Sequence, residues 1–151
     1  MRLGAIFRRR PPAGEPEHLR RGRLGEEVAY RHLRKLGYTV VARNFRTRDG
    51  RGEVDLVAWD DGRLVFVEVK TRASNTLVAP EEAIDLRKRR MIVRAAGEYL
   101  RRGGREWSLA RFDTVGVVLR DPIEVELHKD VFSRRSVFAR GTGRGEGFRF
   151  A

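Results

Sequence analysis

A chain of 151 residues is long enough for one domain with a real hydrophobic core, and too short for two. Its 40% hydrophobic and 36% charged content describes a globular protein with a heavily charged surface, and no apolar run reaches the ~18–20 residues of a membrane span. The absence of cysteine excludes disulfides, zinc–thiolate sites and cysteine nucleophiles.

The apolar stretch within Met1-Arg-Leu-Gly-Ala-Ile-Phe-Arg-Arg-Arg10 is too short for a signal peptide, so the expected location is the cytoplasm. A formal charge of +12, carried largely by arginine, points first to nucleic acid, because the planar guanidinium donates two parallel hydrogen bonds to phosphate. Arginine serving solubility alone is the other reading of that charge. A membrane surface fits less well, since no helix pairs a large apolar face with the basic one.

Residues 1–22 hold three prolines and an arginine cluster with little periodicity, which predicts a flexible basic arm. From Gly25 the pattern becomes helical: Leu24, Val28, Ala29, His32, Leu33 and Leu36 recur at helical spacing and Gly37 supplies a stop. Tyr38-Thr-Val-Val41 begins a β-prone run toward Phe45. Two further strands follow, Glu53-Val-Asp-Leu-Val-Ala-Trp59 and Leu64-Val-Phe-Val-Glu-Val-Lys70, joined by Asp60-Asp-Gly-Arg63.

After a loop over residues 71–79, Pro80 suits a first helical position, and Glu81 and Glu82 suit the positive end of the helix dipole. Ile84, Met91, Ile92, Ala95, Ala96, Tyr99 and Leu100 form the buried stripe of that long helix, which ends near Gly103-Gly104. Its other faces carry Arg87, Lys88, Arg89, Arg90 and Arg94, readable as a solvated surface or as a phosphate track. Residues 112–119 and 123–127 read as strands, and from Ser133 an arginine- and glycine-rich tail begins. The order of helix, three strands, helix and two strands predicts an α/β fold with a mixed sheet.

The hairpin carries the chemistry. Asp-Gly is a strong signal for a two-residue turn. With Asp60 paired to Arg63, the register sets Asp55 opposite Glu68 and Glu53 opposite Lys70. Opposed side chains have Cβ atoms roughly 5 Å apart, so two carboxylates set this way among Val, Leu and Phe need compensation. A divalent cation is the simplest candidate: magnesium takes oxygen ligands and uses only one or two carboxylates. Asp55 and Glu68 would each offer an oxygen, and the backbone carbonyl of Val69 a third.

Lys70, on the same face as Glu68, would favour hydroxide formation and stabilise charge on a phosphorus centre. The structural alternative pairs Glu53 with Lys70 and neutralises Asp55 with an arginine. On the register argument Glu53 positions the lysine. Glu26 and Glu27, close after Gly25, read as favourable charges at a helix start or as a further metal or water ligand. His18, His32 and His128 have no metal-ligand spacing, and Trp59 and Trp107 read as packing residues.

The set Gly25-Glu26, Gly52-Glu53-Val-Asp55-Leu-Val, Phe66-Val-Glu68-Val-Lys70-Thr-Arg72, Lys88 and Arg111-Phe-Asp113 resembles the motif series of the bacterial YraN family, over roughly residues 22–132. That family is similar to the PD-(D/E)xK nuclease superfamily, especially the archaeal Holliday-junction resolvases. The resemblance implies a restriction-endonuclease-like αβββαβ core with a mixed central sheet flanked by helices, over residues 23–132, between the arm and a tail at 133–151. It also implies Asp55 and Glu68 as metal ligands, Lys70 as the catalytic lysine, Glu26 as the completing acid, and Arg72 and Lys88 as phosphate contacts or supports. Val54 stands where the superfamily's nominal proline would be. The implied cofactor is Mg2+ or Mn2+, the implied partner is DNA, branched forms included, and the resolvase relatives imply a homodimer. The competing expectation is a catalytically silent DNA- or RNA-binding module that keeps the fold.

Overall fold

The computed structural model describes residues 13–73 and 84–139. Helix α1 (Glu17–Lys35) leads into a meander of β1 (Thr39–Arg46), β2 (Glu53–Asp60) and β3 (Arg63–Arg72). Helix α2 (Leu86–Arg102) and a 3-10 turn (Trp107–Leu109) connect to β4 (Ala110–Val118), β5 (Glu124–His128) and a short helix α3 (Arg134–Phe138).

The sheet order is β1-β2-β3-β4-β5. Neighbours are antiparallel except β3 and β4, which run parallel from Leu64–Ala110 to Arg72–Val118. A parallel neighbour cannot be reached by a tight turn, so the chain crosses over through α2. The expected αβββαβ core with a mixed central sheet is the observed one.

Both faces of the sheet are covered. On one, Val28, Ala29 and Leu33 of α1 pack on Leu56, Val65, Val67, Val115 and Val117. On the other, Ile92, Ala96 and Leu100 of α2 pack on Leu64, Phe66 and Phe112, joined by Phe132 and Val137. Burial on two faces explains the nearly continuous apolar runs of β2 and β3. Each fully buried Val, Leu or Phe contributes roughly 1.5–3 kcal/mol. The hairpin turn is as expected: Asp60 pairs with Arg63, and Asp61 (φ 49°) and Gly62 (φ 72°) both take the left-handed conformation a two-residue primed turn requires.

Three boundaries differ from the sequence reading. Helix α1 begins at Glu17, so residues 17–22 of the stretch read as an arm are helical; residues 1–12 lie outside the described residues. Its start escapes notice because Pro16 provides no side-chain cap and the first turns lack an apolar stripe; ion pairs Arg21–Glu17 and Arg23–Glu15 (2.5 Å) brace them instead. Helix α2 begins at Leu86, where the Asp85 carboxylate accepts from the Lys88 N–H at 2.8 Å; Pro80, Glu81 and Glu82 lie outside the described residues. Finally, α3 falls inside the stretch read as tail. Ser133 and Ser136 cap it reciprocally, and Val137, 2% exposed, anchors it to the core beneath α2.

Candidate active site

Strand β2 does not alternate strictly. Val54 and Val57 both enter the core beneath α2, while Leu56 and Ala58 face α1, so the period of two breaks at Asp55. The β2–β3 ladder ends at this point, with Leu56–Val67 as its last pair, and continuing the register by one sets Asp55 across from Glu68. Instead of a backbone carbonyl, the Asp55 side chain meets the neighbouring strand: its Oδ2 accepts from the Val69 N–H at 2.7 Å. On the far side, β1 reaches Asp55 with Asn44, whose φ of 51° is left-handed in the middle of a strand.

Glu68 is 3% exposed. Its Oε1 lies 3.5 Å from Lys88 Nζ and 3.8 Å from Lys70 Nζ, while its Oε2 is buried with no hydrogen-bond partner. Burial, followed by the charge of Asp55, pushes the carboxyl up to about 8, against the opposing pull of Lys88 and Lys70. When both carboxylates are ionised neither can donate to the other. The pair is relieved by a proton or by a cation.

Lys88 reaches Glu68 from the opposite layer. The Asp85 cap fixes the first turn of α2, and that turn carries the lysine over the sheet. Glu26 arrives from α1. Gly25 makes this approach feasible, since a Cβ there would lie 1.8 Å from Thr71 Oγ1 and 2.7 Å from Thr71 Cβ. The helix backbone therefore rests directly on β3, one residue beyond Lys70. Glu26 is raised by its own burial and by Asp55, and restrained by the Asn44 side chain and Arg43. Its position in mid-helix removes the helix-start explanation for Glu26 and Glu27; Glu27 instead pairs with Arg31 at 2.8 Å and Arg43 at 3.0 Å.

Asp55 is thus the charge shared by Glu26 on one side and Glu68 on the other. The three acids do not form a cage: among the described residues, no three Asp, Glu or His side chains gather closely enough to hold a metal ion. Glu53 differs from the expected pairing. The β2–β3 ladder stops before it could face Lys70; it pairs with Arg46 of β1, at 3.6 Å between the charged groups. Arg72 lies exposed at the end of β3, where its carbonyl accepts from the Leu119 N–H at 2.8 Å.

Beside these groups is a cleft of about 350 Å³ lined by Glu26, Val69, Lys70 and Thr71 together with His18 and Arg21. The last two escaped the sequence reading because α1 was taken to start later. With the helix begun at Glu17, positions 18, 21, 22, 25 and 26 fall on one stripe, the signal that would have found them.

Arg111 and Asp113 lie at the other end of the sheet and serve the fold. Asp113, 1% exposed, accepts from Arg111 Nε (2.9 Å) and Nη2 (2.7 Å), from the Tyr38 hydroxyl (3.2 Å) and from the Asp130 N–H (3.0 Å). Arg111 also donates to Asp60 Oδ2 at 2.7 Å, tying the hairpin end to β4. No described helix is long and apolar enough to cross a membrane.

The model of the Uncharacterised protein family UPF0102 matches residues 25–117, from Gly25 of α1 to Val117 of β4. A UPF0102 protein of Solibacter usitatus is 50% identical over 111 residues, covering 74% of this chain and 84% of the relative. One from Koribacter versatilis is 47% identical over 123 residues, 81% and 85% of the two chains. Another, from Porphyromonas gingivalis, is 48% identical over 103 residues, 68% and 74%. The matched segment contains Glu26, Asp55, Glu68, Lys70 and Lys88, and the chain belongs to the UPF0102 family, whose YraN-like motifs it carries.

Proposed function

We propose that this protein is a magnesium- or manganese-dependent nuclease that hydrolyses phosphodiester bonds in DNA, branched forms included, on a fold related to the PD-(D/E)xK nucleases. The observation that carries this reading is Glu68: a buried carboxylate with one orphaned oxygen, beside a second carboxylate, with two ammonium groups on its other oxygen. An acceptor left without a donor at that depth costs free energy, and hard oxygen donors suit a hard divalent cation. Asp55, Glu68 and the Val69 carbonyl would hold it. When bound, such a cation acts as a Lewis acid toward a phosphoryl oxygen.

The remaining work falls to the protein's own groups. Lys70, with about a third of its side chain exposed, can set its ammonium against a phosphate oxygen and against an attacking water. Lys88, less exposed and closer to Glu68, offsets the charge of that carboxylate. Glu26, on the wall of the cleft, can accept a proton from water.

The test is cleavage of branched, nicked and linear DNA with magnesium or manganese. Wild type should cut at least one of them, and Asp55→Ala, Glu68→Ala and Lys70→Ala should each lose about 100-fold or more. No cleavage by wild type, or equal cutting by the variants, ends this reading. The absence of a three-acid cluster among the described residues favours a second reading, a catalytically silent nucleic-acid-binding module. Binding would then weaken with salt at a log–log slope of about −0.9 per duplex phosphate neutralised and be indifferent to chelators.

A further inference from the structure

The arginines of this protein fall into two populations. Around α1 and the sheet edges they are neutralised: Arg21 by Glu17, Arg23 by Glu15, Arg31 and Arg43 by Glu27, Arg46 by Glu53. Along one stripe of α2 they are not, although Arg102 of the same helix pairs with Glu98. Arg87, Arg90, Arg94 and Arg101 recur at intervals of three, four and seven residues, which places them on one stripe, and all four are exposed. Among the described residues none of them forms an ion pair.

The two acids near the far end of this stripe already accept hydrogen bonds from other groups, although the Asp49 carboxylate also feels the charges of Arg51 and Arg94. Glu98 accepts from Arg102 at 2.5 Å and from the Arg48 N–H at 3.3 Å. Asp49 accepts from the Thr47 hydroxyl at 2.7 Å and the Arg51 N–H at 2.9 Å. Like charges three and four residues apart on a helix destabilise it, so the arrangement works against the fold.

At its far end the stripe enters a groove of about 370 Å³ lined by Arg51, Arg94, Arg101, Arg134 and Trp107, with Asp49 and Glu98 also on its wall. Gly52 brings Arg51 there: a Cβ on Gly52 would lie 2.7 Å from the Ala95 backbone nitrogen, so the β1–β2 loop rests directly on α2. Trp107 seats over Gly97, and the Arg134 guanidinium lies over its ring, 4.6 Å from the centroid. With that face covered, the groove offers four guanidinium groups, against two carboxylates that already accept hydrogen bonds, rather than an open stacking platform. Its chemistry selects a chain of phosphates.

We propose that the Arg87–Arg101 stripe and the groove at its end form a phosphate track for a DNA duplex, extending away from the carboxylate site and reading no base sequence. From Arg87 to Arg101 is about 21 Å along a helix rising 1.5 Å per residue, the axial rise of about six base pairs at 3.4 Å each. The near end begins next to Lys88, whose ammonium lies 3.5 Å from Glu68, so a duplex on the track has one end beside the carboxylate pair. This inference rests on the nucleic-acid half of the proposed function and not on its hydrolytic half.

The experiment is fluorescence anisotropy of a labelled duplex of about 20 base pairs, in chelator, over a salt series. The double variant Arg94→Gln/Arg101→Gln should raise Kd about tenfold and reduce the salt slope by about 1.8, two phosphates' worth. Its melting temperature should stay level or rise, which loss of a structural role would not allow. The control Arg34→Gln/Arg120→Gln removes the same charge elsewhere on the surface and should move Kd far less. The track is overturned if the stripe variant binds like wild type, or if the control loses as much. Should wild type bind no duplex at all, the nucleic-acid reading falls and the track with it; should wild type bind but cut nothing, the hydrolytic reading alone falls.

Discussion

Glu68 concentrates the physics of the site in one side chain. Its carboxyl takes a proton far more readily in the folded state, near 8, than the ordinary 4.5 of an unfolded chain, because burial and Asp55 oppose its charge. The folded state therefore binds the extra proton between those values, and stability falls as pH rises through the folded pKa. In chelator, Glu68→Gln should raise the melting temperature by about 5 °C at about pH 9 and hardly change it at about pH 4, where both states are protonated. A difference independent of pH would refute this origin. Asp113 is held differently: its carboxylate is paired with Arg111, and truncating it leaves that guanidinium, only 11% exposed, with Asp60 as its remaining acid. Asp113→Ala should cost about 1.5–3 kcal/mol in urea unfolding. The sequence marks Asp113 as part of a motif but not its purpose, because Tyr38 and Asp130, which complete its bonding, are far away along the chain.

Helix α1 is where an element decides the position of a functional group. Glycine within a helix ordinarily costs about 1 kcal/mol relative to alanine, so at an unconstrained site Gly25→Ala would stabilise. Here the added Cβ meets the whole Thr71 side chain, and that residue is β-branched and stiff. Gly25→Ala should lose about 1–3 kcal/mol in denaturant unfolding, and Gly25→Ala/Thr71→Gly should recover part of it by opening the space. A gain of stability from Gly25→Ala alone would show that the contact does not hold α1 to β3. The hairpin needs no such distant partner. Its turn residues and apolar pattern are local, which is why its limits and its Asp60–Arg63 pairing were readable from the chain. The start of α1 was not, because salt bridges rather than a cap or an apolar stripe hold its first turns.

At the scale of the whole molecule, the proposed cation would be coupled to folding, since ligands brought together by the folded sheet are dispersed when it unfolds. Magnesium or manganese at about a hundredfold excess over Kd should stabilise wild type by about 2.7 kcal/mol, seen as a rise in melting temperature that Asp55→Ala and Glu68→Gln lack. An equal rise in all three would place the ion elsewhere. The αβββαβ order, the mixed sheet and the facing of Asp55 and Glu68 were legible in the chain because strand and helix periods, turn residues and the spacing of charges are local signals, whereas spacing alone left Glu26 open. The break in alternation at Asp55 was not, since it depends on the Val69 N–H of the next strand. Nor was the choice of partners, in which Lys88 from the opposite layer joins Lys70 beside Glu68 and Arg46 takes Glu53. Those choices follow from which layer each side chain enters and how closely the backbones approach, and only packing in three dimensions settles them.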